Sequence, residues 1–527
     1  MAFWDFPLVV LRTERDLADW RASLPPDSLH FVPTMGALHA GHLQLIQRAA
    51  ATRWWGEPTV LVSIFVNPLQ FGEHEDFDRY PRRLEDDASL AEAAGAKAIF
   101  APAVADIYPN GLAGITHVVP PASLQSTLCG PGRPGHFEGV ATVVTRLLAM
   151  VRPRRLFLGE KDWQQVVVLR RVVADLGLPV VIEAMAAVRR PDGLAMSSRL
   201  AYLQGEELRQ ATALPAALNQ AAISARQGLP VESLLATLRT TLDHHGLLPE
   251  YVALVDGHTL QPVERPQGLT LLAAAVHCGS TRLIDHLFLM SRAPIVAIDG
   301  PAGAGKSTVT RALARRLNLT YLDTGAMYRA LAWWVLRQGV NPEDPKAVEP
   351  LLADLDLELS QDQEGLLRLR LNGQDISTAI RAPEVTAVVS AVAAHPCVRD
   401  TLTAQQRRLG ERGGLVAEGR DTGTAVFPDA ECKIFLTASV AERARRRALD
   451  LRQQGFAVPE MAELERQIGE RDQRDSTRAV APLRQAADAV VLVTDGMGIE
   501  AVLEALVEAF RARVPEEAWP GLSSAGA

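Results

Sequence analysis

The stretch Gly300-Pro301-Ala302-Gly303-Ala304-Gly305-Lys306-Ser307 decides the fold of the second half of this chain. It fits the phosphate-loop pattern G-x-x-x-x-G-K-[ST] without a gap. The β-branched run 294–299 before it predicts a buried parallel strand, and residues 308–317 after it predict a helix. Because glycines let backbone N–H groups turn towards a phosphate, we expect Lys306 to reach the terminal phosphates of a nucleotide and Ser307 to bind Mg²⁺.

The chain has 527 residues, which is long for one domain. A strand before a phosphate loop normally opens its domain, so the residues before about 290 predict a separate domain. The net charge of −8 gives no electrostatic reason to expect nucleic acid or an anionic membrane as partner, and no stretch approaches the ~18 uncharged apolar residues of a membrane span. Four cysteines without a C-x-x-C pair fit a reduced cytoplasm. The expected partners are small molecules.

The first half also contains a loop that leads from a strand into a helix. Residues 29–32 predict the strand, residues 33–42 the loop and residues 43–51 the helix, which is a phosphate-binding layout. His39 and His42 could hydrogen-bond the charge that builds on a phosphate. The alternative is a loop with two solvated histidines. Further strand-like runs at 59–66, 96–101 and 155–158 alternate with helical segments, which predicts a parallel sheet with helices on both faces.

A second cluster, Met196-Ser197-Ser198-Arg199, makes the pair of loops similar to the paired signatures of class I nucleotidyltransferases. Four further motifs narrow the resemblance to the pantoate–β-alanine ligase family, from about residue 9 to about residue 287. They are Pro33-Thr34-Met35-Gly36-Ala37-Leu38-His39, Phe65-Val66-Asn67-Pro68-Leu69-Gln70-Phe71, Arg133-Pro134-Gly135-His136-Phe137 and Gly159-Glu160-Lys161-Asp162-Trp163-Gln164-Gln165. One departure is Leu200, where the family usually has Asn.

This resemblance implies a two-step ligation: ATP and pantoate form pantoyl adenylate, and the amine of β-alanine then displaces AMP. It implies that His42, as proton donor, and Lys161 are catalytic, and that Gln70 and Gln165 hold the pantoate and β-alanine. Apart from the motifs, both glutamines would be ordinary polar surface residues. The implied ATP-binding residues are Met35, Gly36, Ala37, Leu38, His39, Ala40, Gly41, His42, Gly159, Glu160, Lys161, Asp162, Val188, Met196, Ser197, Ser198 and Arg199.

Three arginine-bearing segments follow the phosphate loop: 321–329, 415–424 and the group Arg471, Arg474, Asp475 and Arg478, whose spacing predicts one helix face. That face alone would most often be solvated. With a phosphate loop, the arginines favour a nucleoside monophosphate kinase. Together with the segments 390–399 and 478–482, they resemble bacterial cytidylate kinase from about residue 294 to about residue 514. The alternating run 367–373 ends in Asn-Gly and predicts a hairpin.

The kinase resemblance implies that Lys306 is catalytic and that the phosphate loop binds ATP and Mg²⁺ through Gly300, Pro301, Ala302, Gly303, Ala304, Gly305, Lys306, Ser307 and Thr308. The implied CMP-binding residues are Thr324, Arg329, Ser390, Arg399, Arg420, Asp421, Arg471, Asp475 and Arg478. Glu418 stands where Asp is expected and is a second candidate for Mg²⁺. The run Arg445-Arg446-Arg447 indicates a solvated helix face.

The expected fold is α/β: a Rossmann-like nucleotidyltransferase domain with a small C-terminal α+β domain, then a P-loop nucleoside monophosphate kinase domain. The expected boundaries are 1–287 and 288–515, with a disordered tail at 516–527. ATP is the expected substrate at both sites, and a homodimer through the ligase half is expected. Two alternatives remain for the second half: dephospho-CoA kinase, and a module that senses ATP without turnover. The halves should be separable by a cut near Met290.

Overall fold

A computed structural model describes residues 8–53, 56–72, 75–353, 355–361, 367–453, 457–478 and 480–521. The chain divides into two compact units. Unit 1 comprises residues 1–291 and 515–518, and unit 2 comprises residues 292–514 and 519–527. Ala479 of the kinase-like segment 478–482 and residues 522–527 of the expected tail lie outside the described residues. Within the part that the structure describes, no helix is both long and apolar enough to cross a membrane.

Unit 1 is built on a parallel sheet with the order β1-β4-β3-β2-β5-β6. The strand β2 pairs with β3 along one edge and with β5 along the other. The direction in which successive strands are added to the sheet therefore reverses at β2. Ligands of such sheets bind outside the carboxyl ends of the strands at this reversal. The strands are β1 (Val9–Leu11), β2 (Leu29–Thr34), β3 (Thr59–Ile64), β4 (Ala98–Phe100), β5 (Arg155–Gly159) and β6 (Val181–Met185).

Helices cover both faces of this sheet because its strands bury alternate residues in two separate cores. In β2, Phe31 packs into the core formed with α7 and α8, whereas Val32 packs into the core formed with α2 and α3. The predicted arrangement is therefore confirmed. The helices are α1 (Glu14–Ala22), α2 (Ala40–Ala51), α3 (Leu84–Ala93), α4 (Val104–Ile107), α5 (Ala122–Gln125), α6 (Cys129–Gly132), α7 (His136–Val151) and α8 (Trp163–Asp175).

The rest of unit 1 is a small α+β layer, as predicted. Three helices, α9 (Gly205–Ala211), α10 (Ala213–Arg226) and α11 (Val231–His244), precede the antiparallel sheet β7 (Leu248–Asp256), β8 (Leu269–Cys278) and β9 (Thr281–Met290). They share one apolar core. The strand β9 was not predicted from the sequence, and it runs past residue 287, the expected end of the first domain. Register explains its length, because β9 pairs with β8 from Thr281 to Met290.

Unit 2 has a parallel sheet with the order β11-β15-β10-β16-β17. Its strand β10 (Ile295–Asp299) ends at the glycine loop 300–305 and is buried along its whole length. The remaining strands of unit 2 are β11 (Thr320–Asp323), β12 (Leu357–Gln361), β13 (Leu367–Leu371), β14 (Gln374–Asp375), β15 (Leu415–Gly419), β16 (Cys432–Thr437) and β17 (Val490–Val493). Together with the helices, this parallel sheet confirms the predicted α/β class.

The predicted hairpin lies between β13 and β14, where Leu371 pairs with Gln374. Asn372 and Gly373 both have positive φ, 49° and 78°, as the mirror-image two-residue turn requires. The helices of unit 2 are α12 (Lys306–Leu317), α13 (Thr324–Arg337), α14 (Pro345–Val348), α15 (Pro383–Val392), α16 (Pro396–Leu409), α17 (Val440–Gln453), α18 (Met461–Thr477) and α19 (Ile499–Arg513).

Two expectations about the end of the chain need correction. Arg478 does not share the helix face of Arg471 and Asp475, because α18 ends at Thr477 and Arg478 has the extended angles φ −60° and ψ 143°. Residues 516–521 are not a disordered tail, since Glu516 and Glu517 make hydrogen bonds in unit 1 and Trp519 donates to the Leu317 carbonyl in unit 2. Buried polar partners hold this segment in place.

Candidate active sites

The first candidate site is a cleft at the carboxyl ends of β2 and β5. Most of the residues implied for the ligase line it: Met35, His39, Gly41, His42, Gln70, Gly159, Lys161, Asp162, Gln165, Val188, Met196, Ser197, Ser198 and Arg199. The other implied residues, Gly36, Ala37, Leu38, Ala40 and Glu160, are not among the lining residues.

His39 and His42 form a pair at the start of α2, with ring centroids 4.1 Å apart and ring planes tilted by 30°. His39 Nδ1 accepts from the Gly41 N–H at 3.2 Å, and His42 Nδ1 accepts from the His39 N–H at 3.4 Å. Since a backbone amide can only donate, the proton of each neutral ring is on Nε2. The solvated-loop alternative does not fit this half-buried pair, because both rings are held by backbone N–H groups at the start of α2.

Both histidines are neutral at physiological pH. Burial and the nearby Lys161 lower the pKa of His39 to about 4, and burial and His39 lower the pKa of His42 to about 3. The sequence resemblance implied that His42 donates a proton, and this environment does not favour that role. A neutral His42 can stabilise a phosphate by a hydrogen bond but has no second proton to transfer.

Asp87 holds the loop before α2, a role that was not predicted from the sequence. Its carboxylate accepts from the Ala37 N–H at 2.9 Å and the Leu38 N–H at 2.7 Å. Gly36 passes so close that a Cβ there would lie 2.9 Å from the Asp87 Oδ2 atom. The N–H groups of Ala37 and Leu38 therefore bind a carboxylate of the protein. No sequence motif connects α3 to this loop.

The motif 133–137 holds the backbone of Gln70. This contact was not predicted from the sequence. His136 Nδ1 donates to the Gln70 carbonyl at 2.9 Å, and Arg133 donates to the same oxygen at 3.1 Å. The Gln70 side-chain oxygen accepts from Asn67 Nδ2 at 3.0 Å. Gln70 lines the cleft, and its side-chain amide can donate hydrogen bonds to a hydroxyl or a carboxylate.

The second loop, 188–199, is tied to the body of unit 1 at both ends. Arg189 makes a two-pronged pair with Asp285, at 2.8 and 3.0 Å, and donates to the Gly193 carbonyl. At the other end, Arg199 donates to both oxygens of Asp76, at 2.9 and 3.2 Å. Arg199 thus lines the cleft while its charge is paired with Asp76.

The second candidate site is a cleft of about 970 Å³ in unit 2. It is lined by Ala302 to Thr308 and by every residue implied for CMP: Thr324, Arg329, Ser390, Arg399, Arg420, Asp421, Arg471, Asp475 and Arg478. Gly300 and Pro301 are not among its lining residues.

The glycine loop 300–305 curls around the ammonium group of Lys306. Lys306 is only 7% exposed and donates to the carbonyls of Gly300 and Pro301, both at 2.8 Å. A Cβ at Gly300 would lie 2.0 Å from the Leu436 carbonyl oxygen, which explains why glycine is needed there. Burial, and then the Arg420 guanidinium, lower the pKa of Lys306 to about 7. An anionic phosphate would stabilise its charged form.

Glu418 is the penultimate residue of β15 and contacts Ser307, which follows the glycine loop. Its Oε1 accepts from the Ser307 hydroxyl at 2.6 Å and from the Tyr321 hydroxyl at 2.9 Å. Its Oε2 is buried and has no hydrogen-bond partner within the described residues. Burial raises the pKa of Glu418. A buried carboxylate oxygen without a donor fits a cation or an ordered water.

Guanidinium groups gather along the rest of the cleft. Burial and neighbouring arginines lower the pKa values of Arg471 and Arg478, because like charges oppose one another there. Arg420 donates to Asp475 at 2.9 Å, and Arg399 pairs with Asp421 while its guanidinium lies 5.3 Å from the ring centroid of Tyr328. Such positive charge is suited to phosphate groups.

On α17, Arg445 and Arg447 are exposed as expected, whereas Arg446 departs from the expected solvated face and contacts the glycine loop together with Arg443. Arg443 donates to the Ala302 carbonyl and Arg446 to the Ala304 carbonyl, both at 3.2 Å. Arg445 instead pairs with Glu442 on the exposed side. The spacing of three residues between Arg443 and Arg446 puts them on one side of the helix. Only the packing of α17 against the glycine loop distinguishes that side.

Known proteins resemble the chain over nearly its whole length. The family model "Pantoate-beta-alanine ligase" matches residues 9–288, and "Cytidylate kinase" matches residues 296–512. The bifunctional pantoate ligase/cytidylate kinase of Prochlorococcus marinus (strain MIT 9313) is 61% identical, over 94% of this chain and 97% of that protein. The protein of the same name from Synechococcus sp. (strain CC9902) is 60% identical, over 93% and 99%.

A solved structure matches unit 1. The pantothenate synthetase from Thermus thermophilus is 42% identical with a TM-score of 0.50, over 53% of this chain and 99% of that one. Both predicted activities, each using ATP, are confirmed by the matches, and the dephospho-CoA kinase and ATP-sensing alternatives are not favoured. The chain therefore belongs to the family of bifunctional pantoate ligase/cytidylate kinases.

Proposed function

We propose that the cleft of unit 1 makes pantothenate in two steps. A carboxylate oxygen of pantoate attacks the α-phosphorus of ATP and pyrophosphate leaves; the amine of β-alanine then attacks the acyl carbon and AMP leaves. The observation that carries this proposal is the pair of neutral histidines, whose Nε2–H groups can bind the α-phosphate. Purified protein given all three substrates should release AMP, and release of ADP would contradict an adenylate.

The other lining residues take roles that suit their chemistry. Lys161 neutralises phosphate charge, and Gln70 and Gln165 bind the hydroxyls and carboxylate of pantoate. Val188 and the segment 196–199 surround the nucleotide. Asp87 and Glu160 act on the loops and not on the substrates, because their carboxylates accept from backbone N–H groups.

In unit 2, we propose, a phosphate oxygen of CMP or dCMP attacks the γ-phosphorus of ATP, and the β–γ bridging oxygen leaves with ADP. The glycine loop and Lys306 bind ATP, and Arg329, Arg420, Arg471 and Arg478 bind the acceptor phosphate and the phosphoryl group in transit. Asp475 binds the ribose. The observation that supports this assignment is a single cleft that contains both the glycine loop and the arginines.

Mg²⁺ fits the residues beside the glycine loop. Nucleotide-bound Mg²⁺ needs few protein ligands because phosphates and waters complete its shell. We propose that the Ser307 hydroxyl binds it directly and that Glu418 binds it through water, which uses the buried Oε2 atom. When bound, the ion supplies neutralisation of the charge on the phosphates.

Replacing Glu418 with glutamine should raise the Mg²⁺ concentration needed for half-maximal kinase activity by about 10- to 100-fold. The change removes the charge but keeps the shape. Titration of Mg²⁺ against the rate of ADP formation measures the effect. Tyr321→Phe is the matched control, because it removes one hydrogen bond to Glu418 and leaves the carboxylate charged. An unchanged Mg²⁺ dependence in Glu418→Gln would exclude this role.

We propose that Ser390, Arg399 and Asp421 read the cytosine edge. Cytosine offers an N4 donor beside the N3 acceptor, whereas uracil offers O4 beside an N3–H. A carboxylate and a guanidinium match cytosine and leave polar groups unpaired with uracil, at about 1–3 kcal/mol each. Two mismatches correspond to roughly 30-fold or greater preference in kcat/KM for CMP over UMP.

Asp421→Asn should lower the ratio of kcat/KM for CMP to kcat/KM for UMP by about tenfold, chiefly by lowering kcat/KM for CMP. Asparagine is preferable to alanine because Asp421 also pairs with the buried Arg399. Arg329→Ala is the control: it should lower both values together, since Arg329 reads only phosphate. Steady-state kinetics with each nucleotide measure this, and an unchanged ratio in Asp421→Asn would refute base reading by this residue.

We further propose that the protein works in the cytoplasm and forms a homodimer through unit 1. The four cysteines support the first proposal, since all are free thiols. The second is supported by the resemblance to the ligase family. Light scattering of the full chain tests it, and a monomeric mass at working concentration would refute it.

A further inference from the structure

Residues 515–518 follow α19 in the chain but belong to unit 1. The backbone N–H groups of Glu516 and Glu517 donate to the two carboxylate oxygens of Glu160, at 2.7 and 2.8 Å. Glu160 is fully buried. A buried carboxylate is costly unless donors satisfy it, so Glu160 depends on a segment that lies 356 residues later in the chain.

Glu160 stands between two residues of the ligase cleft, Gly159 and Lys161. A side chain held at both carboxylate oxygens restrains the backbone on either side of it, including the start of Lys161. Burial raises the pKa of Glu160 to about 7 against the opposing effect of the two N–H donors. Its charged form therefore relies on those donors.

Glu517 also reaches the second loop of the ligase site. Its Oε1 accepts from Arg189 Nη2 at 2.9 Å, and its Oε2 lies 3.5 Å from His286 Nε2. Arg189 donates in turn to the carbonyl of Gly193, inside the loop. The Glu517 side chain is only 15% exposed, so water competes weakly for this pair.

The same segment contacts α2, the helix that carries the histidine pair. The Glu516 carboxylate lies 2.9 Å from Arg48 Nη2. This pair is partly exposed and contributes little stability by itself. Residues 515–518 therefore contact three elements that carry implied nucleotide-binding residues of the ligase: α2, the turn 159–162 and the loop 188–199.

We propose that residues 515–518 are a positioning segment of the ligase site, which holds Lys161 and the loop 188–199 in the arrangement that binds ATP. The proposal rests on the proposed roles of Lys161 and of residues 196–199. It also changes the expectation for a cut chain. A cut near Met290 separates residues 1–290 from this segment. We therefore expect the KM for ATP in pantothenate synthesis to rise in the cut protein.

Two truncations of the full chain test the proposal, one ending at Val514 and one ending at Ala518. The first should raise the KM for ATP in pantothenate synthesis by about tenfold or more, the scale of a misplaced binding group. The second should leave that KM unchanged. Both lack Trp519, which contacts Leu317 in unit 2, so they should phosphorylate CMP equally. Equal KM values for ATP in the two truncations would overturn the proposal.

The KM distinguishes positioning from a loss of folded protein, since a smaller active fraction lowers the apparent kcat and leaves KM unchanged. Glu517→Ala in the full chain should also raise the KM for ATP. Glu517→Gln, which keeps an oxygen for Arg189, should raise it less. If both variants keep the parent KM, the Glu517 side chain has no positioning role and the proposal fails.

A last variant separates this proposal from the assignment of the site itself. Lys161→Ala in the full chain should strongly slow pantothenate synthesis. If it does not, the proposed site is wrong and the positioning proposal fails with it. If Lys161→Ala slows pantothenate synthesis but the truncation ending at Val514 keeps the parent KM for ATP, the assignment of the site is retained. Only the positioning role of residues 515–518 is then refuted.

Discussion

Replacing Lys306 with alanine should lower the rate of CMP phosphorylation by about 10³-fold or more and leave pantothenate synthesis unchanged. The ammonium group is buried and fixed against the glycine loop by the Gly300 and Pro301 carbonyls. The Lys306 ammonium group is therefore positioned to stabilise the negative charge of the transferred phosphoryl group. In the alanine variant, we expect that water does not supply an equivalent positive charge. ADP formation with CMP and AMP formation with pantoate and β-alanine, measured on one preparation, give both rates.

Lys346→Ala is the matched control for this prediction, because Lys346 is an exposed lysine of unit 2 outside the residues that line its cleft. Both of its activities should equal those of the parent. Loss of pantothenate synthesis in a folded Lys306→Ala protein would contradict two independent sites. A kinase rate within tenfold of the parent would contradict the role of Lys306 in phosphoryl transfer.

Replacing His42 with alanine should slow pyrophosphate release by about 10²- to 10³-fold, because it removes one fixed hydrogen-bond donor from the α-phosphate. Its low pKa, about 3, adds a second expectation. Above that pKa the ring is neutral, so this group should cause no change in kcat/KM for ATP between pH 5 and 9. If an imidazolium were required, kcat/KM would instead fall steadily between pH 5 and 9, because this whole range lies above the His42 pKa.

His42→Gln should recover part of the lost rate, since glutamine offers an N–H donor but cannot transfer a proton. His245→Ala is the control, because His245 lies on the exposed end of α11 with its Nδ1 bonded to the Thr241 carbonyl. A His42→Gln enzyme as slow as His42→Ala, together with a pH-dependent parent, would favour proton transfer over hydrogen bonding.

Much of the fold follows from local patterns. Alternating and β-branched runs predicted β2, β3, β4, β5 and β10, and the Asn372-Gly373 pair predicted its hairpin, because each signal lies within a few neighbouring residues. The long strand β9 was missed. Its residues 286–290 resemble a linker until their partners in β8 are known, since strand formation depends on pairing with distant residues.

By itself, the sequence determined the two activities and most of the residues that line the two clefts, because glycine loops and clustered arginines place their chemistry within short motifs. Only the tertiary structure decided how those residues are held. Asp87, Arg443 and the segment 515–518 carry no motif, and their roles arise when distant parts of the chain meet. It also decided that His42 is neutral, because burial and neighbouring charges set a pKa and neither can be read along the chain.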